Sequence, residues 1–455
     1  MPLVSQQRLS LHNSMTRRRE TFAPIDPDRI RLYVCGPTVY DLAHIGNART
    51  FTLFDVFARL LRHLYPRVTY VRNITDVDDK INARAAESGE TIDSVTTRTT
   101  AQFHADMEAL GNLPPDEEPR VTGHIAEILT LIERLIERGH AYVADGHVLF
   151  AVAAFASYGA LSGRSPDELL AGARVDVAPY KRDAGDFVLW KPSAPEIPGW
   201  DSPWGRGRPG WHIECSAMAW RYLGESFDIH GGGGDLIFPH HENERAQSLC
   251  ALPGSQFARL WMHAGMLLFE HEKMSKSQGN FFTIREVLDR APAEAVRLQL
   301  LKAQYRSTLE FGWDGLREAQ GELDRFYRAL GDGSPAGEVP APFLDALCDD
   351  MNTPAAIAVL HDLAGRAIAG EAAAAAGLKA AGALLGLLQQ DPAAWFQRGI
   401  DPAAVEAAIA ERIAARKARD FARADAIRAE WLAQGVAFED RPNGTTDWRR
   451  VASPA

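Results

Sequence analysis

Residues 29–74 constrain the fold of this 455-residue chain more than any other stretch. RIRLYVC (29–35) has the apolar, aromatic and β-branched content of a short buried strand, and Gly36-Pro37 breaks it. From about His44 the pattern turns helical, with Phe54, Phe57, Leu61 and Leu64 along one stripe, and after Pro66 a second strand pattern covers 68–74. A strand, a helix and a strand in fewer than fifty residues form a parallel pair with a right-handed crossover. The pattern returns as a strand at 227–229, a glycine run at 231–234 and a helix predicted over 239–250. The fold class is therefore α/β, a Rossmann-like parallel sheet in two halves.

Residues 123–204 separate the halves and carry their own helix (125–137) and strand-like pieces (148–151, 187–190), so they read as an insertion. Beyond Gly279 the chain is mainly helical, with an Ala-rich bundle helix at 371–387, and 403–434 followed by GTTDWRR reads as a small terminal domain. The organisation expected is a first catalytic half at 1–122, the insertion at 123–204, a second catalytic half at 205–265, a connecting region at 266–320, a helical bundle at 321–400 and a tail domain at 401–455. Such a length exceeds one core, and 46% hydrophobic with 24% charged residues are ordinary globular values.

Nothing approaches the roughly 20 apolar residues that span a bilayer. The N-terminal MPLVSQQRLSLHNSMTRRRE has no apolar core with a small-residue cleavage site, so a cytoplasmic protein without membrane contact is expected. Four widely spaced cysteines argue for thiol or metal chemistry over a disulfide framework. A net charge of -11 confines any RNA contact to local basic patches.

Two segments have phosphate chemistry. His44-Ile45-Gly46-Asn47 stands where a strand gives way to a helix, and helix N-termini present free N–H groups to anions. Lys273-Met274-Ser275-Lys276-Ser277 places two ammonium groups in a loop ahead of Gly279. A third set suits a metal: Cys35 closes the first strand, Cys215 follows the insertion, and His240 and Glu244 stand four apart on a predicted helix. Two sulfurs, an imidazole and a carboxylate are a borderline-soft donor set of the kind Zn²⁺ takes. Cys250 and Cys348, without such neighbours, read as small buried hydrophobes.

The two phosphate motifs, in this order around a split parallel sheet, resemble those of class I aminoacyl-tRNA synthetases. YVCGPTVYD (33–41), NITDVDDK (73–80), GWHIECS (210–216), FDIHGGGGDL (227–236), FPHHENE (238–244) and EKMSKS (272–277) narrow the resemblance to the bacterial cysteinyl-tRNA synthetase family, almost end to end. The resemblance implies one zinc ion on Cys35, Cys215, His240 and Glu244. It implies ATP with Mg²⁺, L-cysteine and tRNA(Cys) as substrates, with the chain acting as a monomer. Lys276, Lys273, His44 and Asn47 become the catalytic set, although the family often has a second histidine where Asn47 stands. Thr38, Thr75, Trp211 and His230 fall near the cysteine or its adenylate. Gly233, Gly234 and Asp235, with Lys276, fall at the nucleotide, Asp235 on the ribose.

In the same family the tail is an anticodon-binding domain. Arg412, Arg416, Arg419 and Arg423 would share one face of an unbroken helix, although Asp420 can cap a fresh one, and Trp448, Arg449 and Arg450 suit stacking and phosphate contact. Two other functions are weighed against this one. A ligase passing cysteine to an aminosugar in mycothiol synthesis should lack the tail, and a non-catalytic RNA-binding paralogue should have lost Lys273, Lys276 and His44.

Overall fold

The computed structural model describes residues 8–164, 178–269, 272–273, 281–331, 333, 335–399, 401–441 and 445–450. The loop expected to hold Lys276 lies outside them. Two compact units emerge: residues 1–319, 341–359 and 384–386 form the first, and 320–340, 360–383 and 387–455 the second.

In the first unit a hairpin, β1 (Ser10–Asn13) and β2 (Arg18–Thr21), precedes β3 (Ile30–Val34), α1 (Ile45–Leu64) and β4 (Val68–Arg72). β3 and β4 are parallel, with Ile30 opposite Val68 and Val34 opposite Arg72. After α2 (Asp79–Ser88), α3 (Ile92–Ala109) and α4 (Ile125–Glu137), the strands β5 (Ala141–Ala144), β6 (His147–Phe150), β7 (Phe187–Pro192) and β8 (Gly207–Pro209) make a four-stranded antiparallel sheet. That sheet runs past the expected end of the insertion at 204, because β8 completes it by pairing with β7.

The chain then returns through α5 (Trp211–Leu223), β9 (Ser226–Gly233), α6 (Glu242–Ala251) and β10 (Phe257–Ala264). The central sheet is all parallel in the order β10-β9-β3-β4. β3 leads outward to β4 and β9 leads outward to β10, so the strand order reverses between β3 and β9. Ligands of open α/β sheets bind at such a point, beyond the carboxyl ends of the strands.

Two local readings need correction. The glycine run belongs mostly to β9, which continues through Gly233. A Cβ on Gly231 would lie 2.2 Å from the Phe54 ring, so the glycine lets α1 press that ring onto the sheet. The helix predicted from 239 begins at Glu242, because Phe238, within the wide turn Ile237–His241, is extended (φ -141°, ψ 132°).

Beyond β10 the chain enters a second, three-stranded sheet. β11 (Leu267–Phe269) pairs with β12 (Glu272–Lys273) and, in parallel, with β13 (Leu309–Phe311); α7 (Ile284–Leu288) and α8 (Ala293–Leu301) come between β12 and β13. α8 carries Arg297, fully buried and bonded to Asp55 of α1, to Asn112 Oδ1 at 2.5 Å and to the Leu110 carbonyl at 3.1 Å.

The helices α9 (Trp313–Leu330), α10 (Ala341–Cys348), α11 (Thr353–Ile368) and α12 (Ala372–Leu384) follow. Within the second unit, Trp395 of α13 (Pro392–Gln397) stacks on Tyr327 at 4.7 Å and donates to Asp324 at 2.8 Å. The tail comprises α14 (Pro402–Lys417), α15 (Phe421–Ala433) and the hairpin β14 (Val436–Asp440) and β15 (Thr446–Arg450), around Val405, Ile409, Ile427, Val436 and Phe438.

The four tail arginines do not share one helix face. The helix stops at Lys417, Arg419 turns left-handed (φ 61°), and Asp420 caps α15 by accepting from the Arg423 N–H. Arg412 is buried in a bidentate pair with Asp440, both contacts 2.8 Å; Arg416 shares that carboxylate at 3.1 Å, and Arg423 pairs with Glu411 at 2.7 Å. These arginines brace the domain. Trp448, expected as a stacking platform, is partly buried against the tail's own apolar cluster.

The contact between Gly231 and Phe54 gives a direct test. Gly231→Ala should cost about 1–3 kcal/mol through overpacking, and Phe54→Leu in the same chain should recover part of it. Urea midpoints measure both, and an unchanged midpoint in Gly231→Ala would contradict the close approach.

Candidate active site and metal centre

The metal-ligand set predicted from sequence converges at the switch point. Cys35 follows β3 directly, and the exit is possible because position 36 is glycine: a Cβ there would lie 1.6 Å from the Asn73 carbonyl oxygen. The Gly36 N–H instead donates to Asn73 Oδ1 at 2.9 Å. Cys215 comes from α5, Glu244 from the first turn of α6 and His240 from the wide turn before it, not from the helix itself.

The donor atoms of these four buried residues all lie within 4.8 Å of one another. Cys35 Sγ is 3.7 Å from Cys215 Sγ and 3.4 Å from Glu244 Oε1, and His240 Nε2 is 3.1 Å from Glu244 Oε1. A tetrahedral ion with bonds of about 2.3 Å to sulfur and about 2.0 Å to nitrogen and oxygen sets its ligands roughly 3.8, 3.5 and 3.3 Å apart for those pairs. These three pairs stand close to the spacing such an ion requires.

The electrostatics agree. Burial pushes the Cys35 thiol well up, helped by Cys215 and by the Glu244 carboxylate. The hydrogen bond from Cys35 eases Cys215 downward, but burial and Glu244 outweigh it and the thiol is raised. Burial, with other histidines nearby, drives His240 and His241 well below the ordinary imidazole range, and burial alone takes His212 down to about 3. Thiols that resist ionising beside imidazoles that resist protonation form a donor set whose anionic form a divalent cation would stabilise.

Several neighbours escaped the sequence reading. His212 Nδ1 lies 3.0 Å from His240 Nδ1, which leaves the latter's Nε2 facing Glu244. His241 stands behind, Nε2 3.9 Å from Glu244 Oε1 and Nδ1 2.8 Å from His263 Nε2, so Cys35, His230, His241 and Glu244 form a second, overlapping donor set. The pair of histidines in FPHHENE was the available signal, but spacing cannot rank two adjacent residues in an irregular turn.

His230 was expected near the substrate. It is fully buried, with Nε2 2.9 Å from Glu244 Oε2, so it orients that carboxylate from behind, because β9 points it into the core. Thr75 is also buried: its N–H donates to the Pro37 carbonyl, and its hydroxyl accepts from Asn73 Nδ2 at 3.1 Å.

A cavity of about 450 Å³ opens beside the cluster. Cys35, Thr38, Trp211, His44, Asn47, Gly233, Gly234 and Asp235 all line it. Trp211 is 38% exposed and stacks on His240 at 4.3 Å, so it faces the cavity and shields the cluster. His44 is the N-cap of α1, and Asn47 Oδ1 accepts its N–H at 3.1 Å. Asparagine thus closes a capping box, a contribution apart from any histidine chemistry.

Lys273 stands in β12 opposite Leu268, whereas Lys276 lies outside the described residues. Lys80, which sequence reasoning passed over, also lines the cavity, its ammonium 5.5 Å from the Tyr40 ring centre. Among the described residues no helix is long and apolar enough to cross a membrane.

Residues 21–321 match the family described as tRNA synthetases class I (C) catalytic domain, and residues 342–389 match the DALR domain. The cysteine–tRNA ligase of Acidiphilium cryptum is 66% identical, covering 98% of this chain and 100% of its own length. That of Gluconobacter oxydans is 64% identical, covering 97% and 98% respectively. Among solved structures, Mycobacterium tuberculosis methionyl-tRNA synthetase with methionyl-adenylate has the same fold at a TM-score of 0.51 and 18% identity, over 79% of this chain and 82% of that one. A putative arginyl-tRNA synthetase from Campylobacter jejuni has it at 0.52 and 14%, over 81% and 95%. The chain belongs to the cysteine–tRNA ligase family of class I tRNA synthetases.

Proposed function

We propose that the chain activates L-cysteine with ATP and Mg²⁺ to cysteinyl adenylate and transfers it to tRNA(Cys), selecting its substrate at a zinc site. The observation that carries this reading is the buried Cys35, Cys215, His240 and Glu244 cluster, its donor atoms within 4.8 Å of one another and Cys35 lining the cavity. A hydrophobic pocket separates near-isosteres such as cysteine and serine by only about a hundredfold. Zinc, when bound there, supplies a soft Lewis acid that accepts a thiolate sulfur in preference to a hydroxyl.

The chain's own groups do the rest. His212 engages His240 Nδ1 and leaves Nε2 facing the cluster, His230 turns one Glu244 oxygen toward the cluster, and Trp211 shields it. Thr38, held against Thr75, lies near the amino acid.

Adenylation is attack by the substrate carboxylate on the α-phosphorus with departure of pyrophosphate, so it needs alignment and charge stabilisation without a general base. His44 and Asn47 serve the phosphates from the N-terminus of α1, Lys276 and Lys273 the developing charge on pyrophosphate, and Mg²⁺ arrives with ATP. Gly233 and Gly234 admit the nucleotide and Asp235 takes the ribose. The tail domain supports tRNA(Cys) as acceptor over an aminosugar, and the family relatives carry that region too.

Cys215→Ser should retain the fold but lose most of its zinc after dialysis, and cysteine affinity should drop by at least about tenfold while ATP affinity stays within about twofold. Metal analysis and equilibrium binding read this out. Full zinc with normal cysteine affinity would remove Cys215 from the site.

Deleting residues 401–455 should leave cysteine-dependent exchange of pyrophosphate into ATP largely intact, while charging of tRNA(Cys) collapses. Equal charging by the full and shortened chains would contradict the tail's role. Transfer of cysteine to an aminosugar by the full chain, without tRNA charging, would replace the reading.

A further inference from the structure

Arg49 sits in α1, one turn beyond the helix N-terminus, and is 3% exposed. All the hydrogen bonds its guanidinium makes among the described residues go to main-chain carbonyls: Met266 and Ser307, and more weakly Tyr305 at 3.3 Å and Gln304 at 3.4 Å. Burial lowers its pKa to about 10, so it stays charged at neutral pH. Arg297, buried in the same unit, has the Asp55 carboxylate as counter-charge. A charge held in the interior by carbonyls alone costs more solvation than a leucine would. What it secures is position.

The carbonyls belong to a junction. The parallel sheet ends with β10 at Ala264, and the three-stranded sheet begins with β11 at Leu267. Between them the Gly265 N–H donates to the Tyr305 carbonyl, and the Met266 carbonyl accepts from the Leu309 N–H at 2.9 Å as well as from Arg49. Ala264, Gly265, Met266 and Leu267 form one wall of the cavity, with Met266 47% exposed.

The same sheet carries β12, where Lys273 stands. At the far side of the lysine motif the chain returns to α1 through main-chain bonds, Ile45 N–H to the Phe282 carbonyl at 3.1 Å and Ile284 N–H to the Ala43 carbonyl at 2.9 Å. The described chain is therefore tied to α1 or the residues leading into it on both sides of the lysine motif, at 266 and at 282–284. The later tie is main-chain; the earlier one depends on the Arg49 side chain.

We propose that Arg49 is a positioning residue for adenylation, pinning the junction at residues 265–266 to α1 and so setting the register between His44 and Asn47 on one side and the lysine-bearing strand on the other. The inference rests on the reading of those groups as the phosphate site. Its specificity follows from donor geometry: a planar fork of five N–H donors can hold carbonyls from two chain segments, whereas lysine offers one compact ammonium.

Arg49→Lys in the full-length zinc enzyme is the test, with Arg297→Lys as a control for destabilisation alone. Melting midpoint, zinc content, equilibrium cysteine binding, and kcat and KM for ATP in cysteine-dependent pyrophosphate exchange are measured for each. Arg49→Lys should keep its zinc and bind cysteine within about twofold of the parent, yet lose at least about tenfold in kcat/KM for ATP, since misplacement of about 1 Å can cost a hundredfold. Arg297→Lys should lower the melting midpoint while kcat/KM for ATP stays within about twofold.

If Arg49→Lys does not fold, Arg49→Gln, which keeps a neutral donor, takes its place in the comparison. Unchanged kcat/KM for ATP in a folded Arg49 variant would overturn the proposal. So would parallel losses for ATP and for cysteine in the Arg49 variant. A parent enzyme without cysteine-dependent exchange would remove the underlying reading as well.

Discussion

Bringing two thiols, an imidazole and a carboxylate into a dry interior is costly unless a cation joins them, and the architecture around the cavity is consistent with that requirement. Cys35 Sγ and Glu244 Oε1 are 3.4 Å apart in a region where burial opposes the thiolate of Cys35 and the protonated form of His240. The surrounding shell keeps the donors aimed at a common point. His230 holds one carboxylate oxygen, His212 one ring nitrogen of His240, and Asn73 the backbone beside Cys35.

The sheet brings the cluster and the nucleotide side together. The reversal of strand order between β3 and β9 opens a crevice at their carboxyl ends, with Cys35 and Gly233 on its two edges. α1 leaves from the same edge and turns its N-terminus, with His44 and Asn47, into the crevice. The helix is buried almost all round, so its direction is fixed by packing on the sheet, including Phe54 over Gly231. Stability and site geometry are here one set of contacts.

Much of this was legible in the sequence because parallel strands buried on both faces read as apolar runs and the breakers between them are Gly and Pro. The ligand set was legible because sulfur, imidazole and carboxylate are rare together. What escaped depends on backbone detail that side-chain patterns do not encode. The glycines at 231–233 look like a loop, yet they extend a strand, and Gly231 makes room there for the Phe54 ring of α1. His240 and His241 share a turn whose extended residue, Phe238, breaks helical spacing, so either could be placed on the ligand face from sequence. The tail arginines look periodic until Arg419 turns left-handed and starts a new helix. Arg49 was invisible because its partners are carbonyls, and every residue has one.

The central claim is that a metal held by Cys35, Cys215, His240 and Glu244 meets the sulfur of the substrate. Cobalt(II) in place of zinc makes this visible, because each thiolate bound to cobalt adds sulfur-to-metal charge-transfer absorption. The account predicts a spectrum of two thiolates in the free protein, a further rise in that absorption when L-cysteine is added, and no rise with L-serine. A cobalt spectrum unchanged by cysteine, or changed equally by serine, would contradict it.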